Sequence, residues 1–209
     1  MKTVIWDYNG TIINDVGIAV KIENEMLEKR GLKHNYSLED YRFLFDTPME
    51  DYYKQIGYTF ENETFHDVGV EFYALYDKYF YECSIHEGVI NKFNEALKKG
   101  YTNIILSSCE QKKLLKQCHE LQIDSYFQDI MGVDNLVSGS KVENGLRWLE
   151  NNQTNGDECI YIGDTNADYL TAKALHIKQI YLVSNGHQSY ERLKKLHHNT
   201  VRSIEEVLL

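Results

Sequence analysis

Residues 2–6 (Lys-Thr-Val-Ile-Trp) form a short, largely apolar run that stops abruptly at Asp7-Tyr8-Asn9-Gly10-Thr11. An apolar run bounded by turn residues reads as a buried strand. Comparable runs recur at residues 103–107, 130–131, 159–162 and 179–183. Helical stripes lie between them: Val89, Ile90, Phe93 and Leu97 before Gly100, then Leu114, Leu115, Cys118 and Leu121. Short strands alternating with helices predict an α/β fold with a doubly wound, mostly parallel sheet. Ligands of such sheets bind at the carboxyl ends of the strands.

One interval breaks this rhythm. A strand-helix-strand unit takes on the order of 30 residues, yet Asp7 and Ser107 lie much further apart. The surplus, residues 15–84, is itself helical in pattern. Val16, Ala19, Val20, Met26 and Leu27 form one stripe, stopped at Gly31. Phe65, Val68, Phe72, Leu75, Tyr76, Tyr79 and Phe80 form another. Nine of the sixteen Tyr and six of the eight Phe fall inside this segment, enough to bury a core of its own. The pattern predicts a helical cap, residues 15–84, overhanging the Asp7 turn of a core built from residues 1–14 and 85–209. Pro48, the only proline, marks a helix break within the cap.

Charge and cysteine usage narrow the function. Lys+Arg 22 against Asp+Glu 32 leave a formal net charge of -10, a field that disfavours nucleic acid and anionic membranes as partners. No apolar run approaches the roughly 18 residues of a membrane span, and the opening MKTVIWDYNG carries no cleavable secretory pattern. Cys83, Cys109, Cys118 and Cys159 sit at unrelated spacings, with neither C-x-x-C nor a Cys/His metal pattern. They read as reduced thiols of a cytoplasmic protein.

Taken singly, the polar residues at the strand ends are ordinary. Asp7 suits a turn, Ser107 and Ser108 are common strand-end residues, and Lys141 in Ser138-Gly139-Ser140-Lys141 would be a surface lysine. Asp164 and Asp168 say more, being four apart at a strand-to-helix junction. With a helix starting near Thr165 both carboxylates face one crevice, although acidic residues there also complement the helix dipole.

Their order along the chain changes the reading. A strand ending in Asp-x-Asn-Gly-Thr, then strand-Ser, an isolated Lys and strand-Gly-Asp-x-x-x-Asp resembles the haloacid dehalogenase (HAD) superfamily over essentially the whole chain. Residues 47–53 (Thr-Pro-Met-Glu-Asp-Tyr-Tyr) and Gly186-His187-Gln188 look like its phosphoglycolate-phosphatase-like branch. The resemblance implies a Rossmann-like core with an inserted helical cap, and a hydrolase of small phosphorylated metabolites. It makes Asp7 the nucleophile that forms an aspartyl-phosphate. Mg²⁺, a hard cation suited to oxygen ligands, would be held by the carboxylates of Asp7 and Asp164 and the backbone carbonyl of Asn9. Asp168 would complete the metal site directly, or through water and Lys141. Ser107, with Ser108 nearby, would hydrogen-bond the phosphoryl group, and Gly10 and Thr11 would join the substrate-binding set. Lys141 would balance the charge of nucleophile and phosphate.

One position departs from the family pattern of Asp-x-Asp, whose second Asp is general acid and then base. Here it is Asn9, and a carboxamide cannot deliver a proton to a leaving alkoxide. Losing a general acid forfeits roughly 10²–10⁴ in rate, so catalysis would favour leaving groups that need little protonation, such as aryl or acyl phosphates. The alternative is a catalytically impaired relative that binds a phosphorylated ligand or a partner. A receiver-type signalling domain fits less well, because it carries its acidic pair after the first strand and has no cap. Deamidation at Asn9-Gly10 would restore the acid. Among the remaining features, His187 reads as a loop-surface residue, and Arg192, Lys194, Lys195, His197 and His198 read as a solvated helix face. The cap tyrosines read as core, with one or two near Arg42 or Tyr52-Tyr53 facing substrate.

Overall fold

The apolar run at the start of the chain forms β1 (Thr3–Trp6), which is buried along its whole length. A computed structural model describes residues 2–134 and 141–209; Met1 and the Ser138-Gly139-Ser140 part of the lysine segment lie outside the described residues. From β1 the chain enters β2 (Ile13–Asn14) and then α1 (Val16–Lys29), α2 (Leu38–Leu44), α3 (Met49–Gln55) and α4 (Phe65–Tyr79). It returns through β3 (Ser84–Ile85), which pairs antiparallel with β2. Next come α5 (Val89–Lys98), β4 (Thr102–Glu110), α6 (Gln111–Glu120), β5 (Asp129–Val133) and α7 (Lys141–Asn151). The chain closes with β6 (Cys159–Gly163), α8 (Asn166–Ala174), β7 (Gln179–Val183), α9 (Tyr190–Leu196) and β8 (Thr200–Val201).

The main sheet runs β5-β4-β1-β6-β7-β8, and each neighbouring pair is parallel. Helices cover both faces. Val4 and Trp6 point into a cluster with Phe93 of α5 and Leu114 of α6. Ile5 points the other way, to Trp148 and Leu149 of α7 and to Ala172 of α8. A strand covered on both faces needs apolar residues throughout rather than alternation. The Trp6 indole, fully buried, donates to Asn103 Oδ1 at 3.0 Å and meets Phe93 edge-on. The doubly wound, mostly parallel sheet is the architecture the alternation predicts.

Helices α1 to α4 form the inserted cap and share a separate cluster that includes Ile22, Met26, Leu27, Tyr41, Tyr52, Tyr53 and Val68. Pro48 occupies the N-cap of α3 and separates it from α2. The cap is fastened to the loop before α9. Arg42 donates to the carbonyls of Asn185 and Gly186, and the Ser189 amide donates back to Arg42 O at 3.1 Å. Arg192 reaches Phe43 O at 2.8 Å and Asp46 at 2.5 Å. Arg192 is therefore a cap contact, unlike the solvated helix face expected of its cluster.

Two local expectations shift. Leu97 and Leu115 are 45% and 46% exposed, and Ala96 and Gln117 take the inward positions of their helices. Strand β4 runs past Ser107 to Glu110, with a register irregularity against β5 between Leu106 and Glu110. No described helix is long and apolar enough to cross a membrane.

Candidate active site

Asp7 follows β1 directly and Asp164 follows β6, so the two carboxylates leave the carboxyl ends of adjacent parallel strands. Asp168 sits in the first turn of α8, where Thr165 and Asp168 form a capping box. One carboxylate oxygen from each of Asp7, Asp164 and Asp168 lies within 4.8 Å of the others, and all three residues are buried. Lys141, at the start of α7, places Nζ 2.6 Å from both Asp7 Oδ1 and Asp168 Oδ1.

The three carboxyl groups differ in what already binds them. Asp168 Oδ2 accepts from the amides of Asp164 and Thr165 and from the Thr165 hydroxyl, while Oδ1 accepts from Lys141 and from the Tyr161 hydroxyl. That set uses the whole capacity of a carboxylate. Among the described residues, Asp164 accepts from the Thr11 hydroxyl at 3.0 Å and the His187 amide at 2.6 Å, and the Asp7 side chain accepts from Lys141 at 2.6 Å.

Burial sets the electrostatics. It pushes the Asp7 carboxyl up to about 6, with Asp168 adding to the push and Lys141 opposing it. Burial also holds Asp164 well above the ordinary range. Asp168 is buried too, but Lys141 and the Thr165 donors bring it below that range. Burial disfavours the Lys141 ammonium, yet Asp168 and Asp7 outweigh it and keep the charge. Oxygen donors gathered around this charge deficit suit a hard divalent cation.

A cavity of about 320 Å³ opens over this group and is lined by Asp7, Asn9, Ser107, Ser108, Lys141, Asp164 and Asp168. Seven expected site residues therefore meet in one place. Gly10 and Thr11 are not among the lining residues. Thr11 is buried behind the wall, and its hydroxyl is engaged by Asp164. Gly10, at φ +72°, leaves no room for a side chain: a Cβ there would stand 2.3 Å from Asp164 Oδ2. Ser107 Oγ accepts from the Cys109 amide at 3.0 Å, which leaves its proton free to donate.

Four residues that the chain's motifs do not single out complete the site. Asp15, buried at the start of α1, accepts from the Gly10 amide at 2.8 Å, the Asn9 carboxamide at 2.8 Å and the Tyr76 hydroxyl at 2.7 Å. Tyr76 in turn accepts from Asn9 at 2.9 Å. Tyr161 braces Asp168, and Glu23 of α1 lines the cavity. Asp15 has one visible signal in the sequence, as an acidic residue at a helix N-terminus, but its side chain makes no cap bond and turns to Asn9 instead. The deamidation reading meets an obstacle here, because the nitrogen that must attack Asn9 is the Gly10 amide already donating to Asp15.

His187 corrects the loop-surface expectation. It is 9% exposed, with Nε2 at 3.4 Å from Asp15 and Nδ1 at 3.0 Å from the Tyr41 hydroxyl. Burial disfavours its charge, but Asp15 and Asp164 raise it to about 9. Of the cap tyrosines near Arg42 or Tyr52-Tyr53, Tyr41 and Tyr53 line the cavity, together with Tyr73 and Tyr76, while Arg42 itself turns to backbone carbonyls.

The haloacid dehalogenase-like hydrolase model matches residues 4–182. No curated protein is similar enough in sequence to match. Among solved structures, a predicted phosphatase from Clostridium acetobutylicum shares 20% identity at a TM-score of 0.76, over 98% of this chain and 95% of its own. A haloacid dehalogenase-like family protein from Streptococcus pneumoniae shares 18% at 0.77, over 96% and 92%. A predicted phosphoglycolate phosphatase from Haemophilus somnus shares 13% at 0.75, over 99% and 96%. At these identities the likeness is one of fold.

Proposed function

The chain belongs to the haloacid dehalogenase-like hydrolase family, and from that premise we propose that it is a Mg²⁺-dependent phosphatase of small phosphomonoesters. The observation that carries this reading is Lys141 bridging Asp7 and Asp168 at 2.6 Å beside Asp164. In this reading residues 15–84 are the lid, and residues 1–14 and 85–209 are the core beneath it. Asp7 attacks phosphorus through a carboxylate oxygen, the bond from phosphorus to the leaving oxygen breaks, and an aspartyl-phosphate remains for water to hydrolyse.

Mg²⁺ would be held by Asp7, Asp164 and the Asn9 carbonyl, and when bound it supplies charge that lets a dianion approach a carboxylate. Asp168, saturated by its five donors, would act on a bound metal through water, and it reaches Asp7 through Lys141. Lys141 balances the transferring charge. Ser107 donates to the phosphoryl oxygens, with Ser108 beside it.

Asn9 supplies no proton, so the departing oxygen leaves as an anion and aryl or acyl phosphates are favoured over simple alkyl esters. Phosphoglycolate fits the cavity less well than the family branch suggests. Its carboxylate would need a cation away from the phosphate, and of the cavity's other cations Lys113 is paired with Asp77 at 2.7 Å and His187 faces Asp15 at 3.4 Å. The test is hydrolysis of para-nitrophenyl phosphate with and without Mg²⁺ by the wild type and by Asp7→Ala. Turnover that needs both is the expected result. Absence of turnover in folded protein would favour the impaired, ligand-binding alternative.

A further inference from the structure

Helix α1 carries Asp15, Ala19 and Glu23 along one face, and all three line the cavity. Eight residues at about 1.5 Å each put Glu23 roughly 12 Å along the helix from Asp15, away from the phosphoryl end. Much of the cavity wall is apolar and aromatic, with Tyr41, Phe45, Tyr53, Phe65 and Phe72 all contributing. Glu23 is 2% exposed. The Tyr53 hydroxyl hydrogen-bonds its carboxyl, and Oε2 has no partner among the described residues. Arg30 is the cation that acts on Glu23, but its guanidinium is engaged by Glu63 and Glu71.

A buried carboxyl oxygen without a donor costs free energy in an isolated fold, and Glu23 is one of the residues that line the space a substrate would fill. An N–H or O–H donor brought into this aromatic enclosure satisfies Glu23 in its carboxylate form. A protonated amine does so best, because the ring faces attract a cation and the carboxylate supplies the opposite charge.

We propose that Glu23 is the specificity-determining residue of this cavity and receives an amine at the remote end of the substrate. The inference rests on the phosphomonoester reading above and narrows it to phosphate esters of amine-bearing aromatic alcohols. The aromatic ring suits both the cavity wall and the missing general acid at Asn9, since an aryl oxide leaves without a proton. Burial pushes the Glu23 carboxyl up to about 8, so near neutral pH an incoming ammonium displaces the carboxyl proton.

Three esters that differ only in the remote group test it: the phosphates of tyramine, tyrosol and para-ethylphenol. In the wild type, kcat/KM for tyramine phosphate should exceed that for the other two by roughly 10- to 100-fold, the scale of a hydrogen bond to a charged group. Glu23→Gln should collapse that ratio toward one. Tyrosol phosphate matching tyramine phosphate, or a preference that persists in Glu23→Gln, would overturn the proposal.

Calorimetric binding of tyramine itself separates this failure from failure of the phosphatase reading, because it needs no turnover. At least tenfold tighter binding to wild type than to Glu23→Gln, with proton release seen as a buffer-dependent heat, is expected. Equal binding to the two proteins would overturn the proposal even if no ester were hydrolysed.

Discussion

The Asn9 carboxamide donates to Asp15 Oδ2 at 2.8 Å, and the same oxygen accepts from Tyr76 at 2.7 Å. An acid at position 9 would set a second carboxyl against this one. Two carboxylates in contact cannot both ionise freely, so the pair keeps a proton above the unfolded value of about 3.9. Because the folded pKa is raised, the variant has its full stability below the unfolded value and loses stability as pH rises. Asn9→Asp should come closest to the wild type near pH 4 and be less stable by roughly 1–3 kcal/mol near pH 8. Urea unfolding at the two pH values measures this. Equal stability at both would show that Asp15 does not constrain position 9.

Lys141 stands between Asp7 and Asp168 at 2.6 Å from each. Removing it leaves the buried carboxyls of Asp7 and Asp168, beside Asp164, without their shared counter-charge. Lys141→Ala should lower kcat/KM by roughly 10²–10³-fold, the scale of losing one electrostatic stabiliser. Its Tm without metal should fall at neutral pH, and added Mg²⁺ should raise it by more than in the wild type. Thermal unfolding across a Mg²⁺ series reads the effect, and an equal rise in both proteins would sink the assignment.

Asp7, Ser107 and Asp164 are legible in the sequence because a buried parallel strand is an apolar run and the end of that run is a sharp change of composition, although β4 itself continues past Ser107 to Glu110. Lys141 and Asp168 become legible only through their order along the chain. Asp15, Tyr76 and Glu23 are not legible, because each acts across an interface between cap and core or between cap helices. A Tyr at position 76 reads the same as packing whether or not its hydroxyl reaches Asp15. His187 misleads for a related reason. The segment after β7 looks like a surface loop until Arg42 and Tyr41 of α2 are laid over it.

Glu23 links the cavity to stability. Its pKa is raised from 4.5 to about 8, chiefly by burial, with Tyr53 and Arg30 opposing. A carboxyl that holds its proton more tightly when folded is fully accommodated at low pH and costs stability as pH rises through this window. Glu23→Gln has no proton to lose. Relative to the wild type it should gain stability between about pH 5 and about pH 8, by a few kcal/mol as an upper bound, since each tenfold change in proton affinity is worth about 1.4 kcal/mol. Urea midpoints at both pH values provide the check. A difference that does not change with pH would mean that water reaches the carboxyl.

Arg42 ties the cap to the core through the carbonyls of Asn185 and Gly186, and its own carbonyl accepts the Ser189 amide at 3.1 Å. These bonds join α2 to the loop that carries His187, whose amide holds Asp164 at 2.6 Å. Arg42→Ala removes a charged donor from two carbonyls and should loosen the junction by roughly 1–3 kcal/mol. Locally, the Ser189 and His187 amides should exchange hydrogen faster, by about tenfold or more, while amides of β1 keep their protection. Loosening of the His187 amide should also weaken the hold on Asp164, so the Mg²⁺ concentration for half-maximal activity should rise. Exchange at Ser189 unchanged from the wild type would show that Arg192, which pairs with Asp46 at 2.5 Å, is sufficient to keep the cap in place.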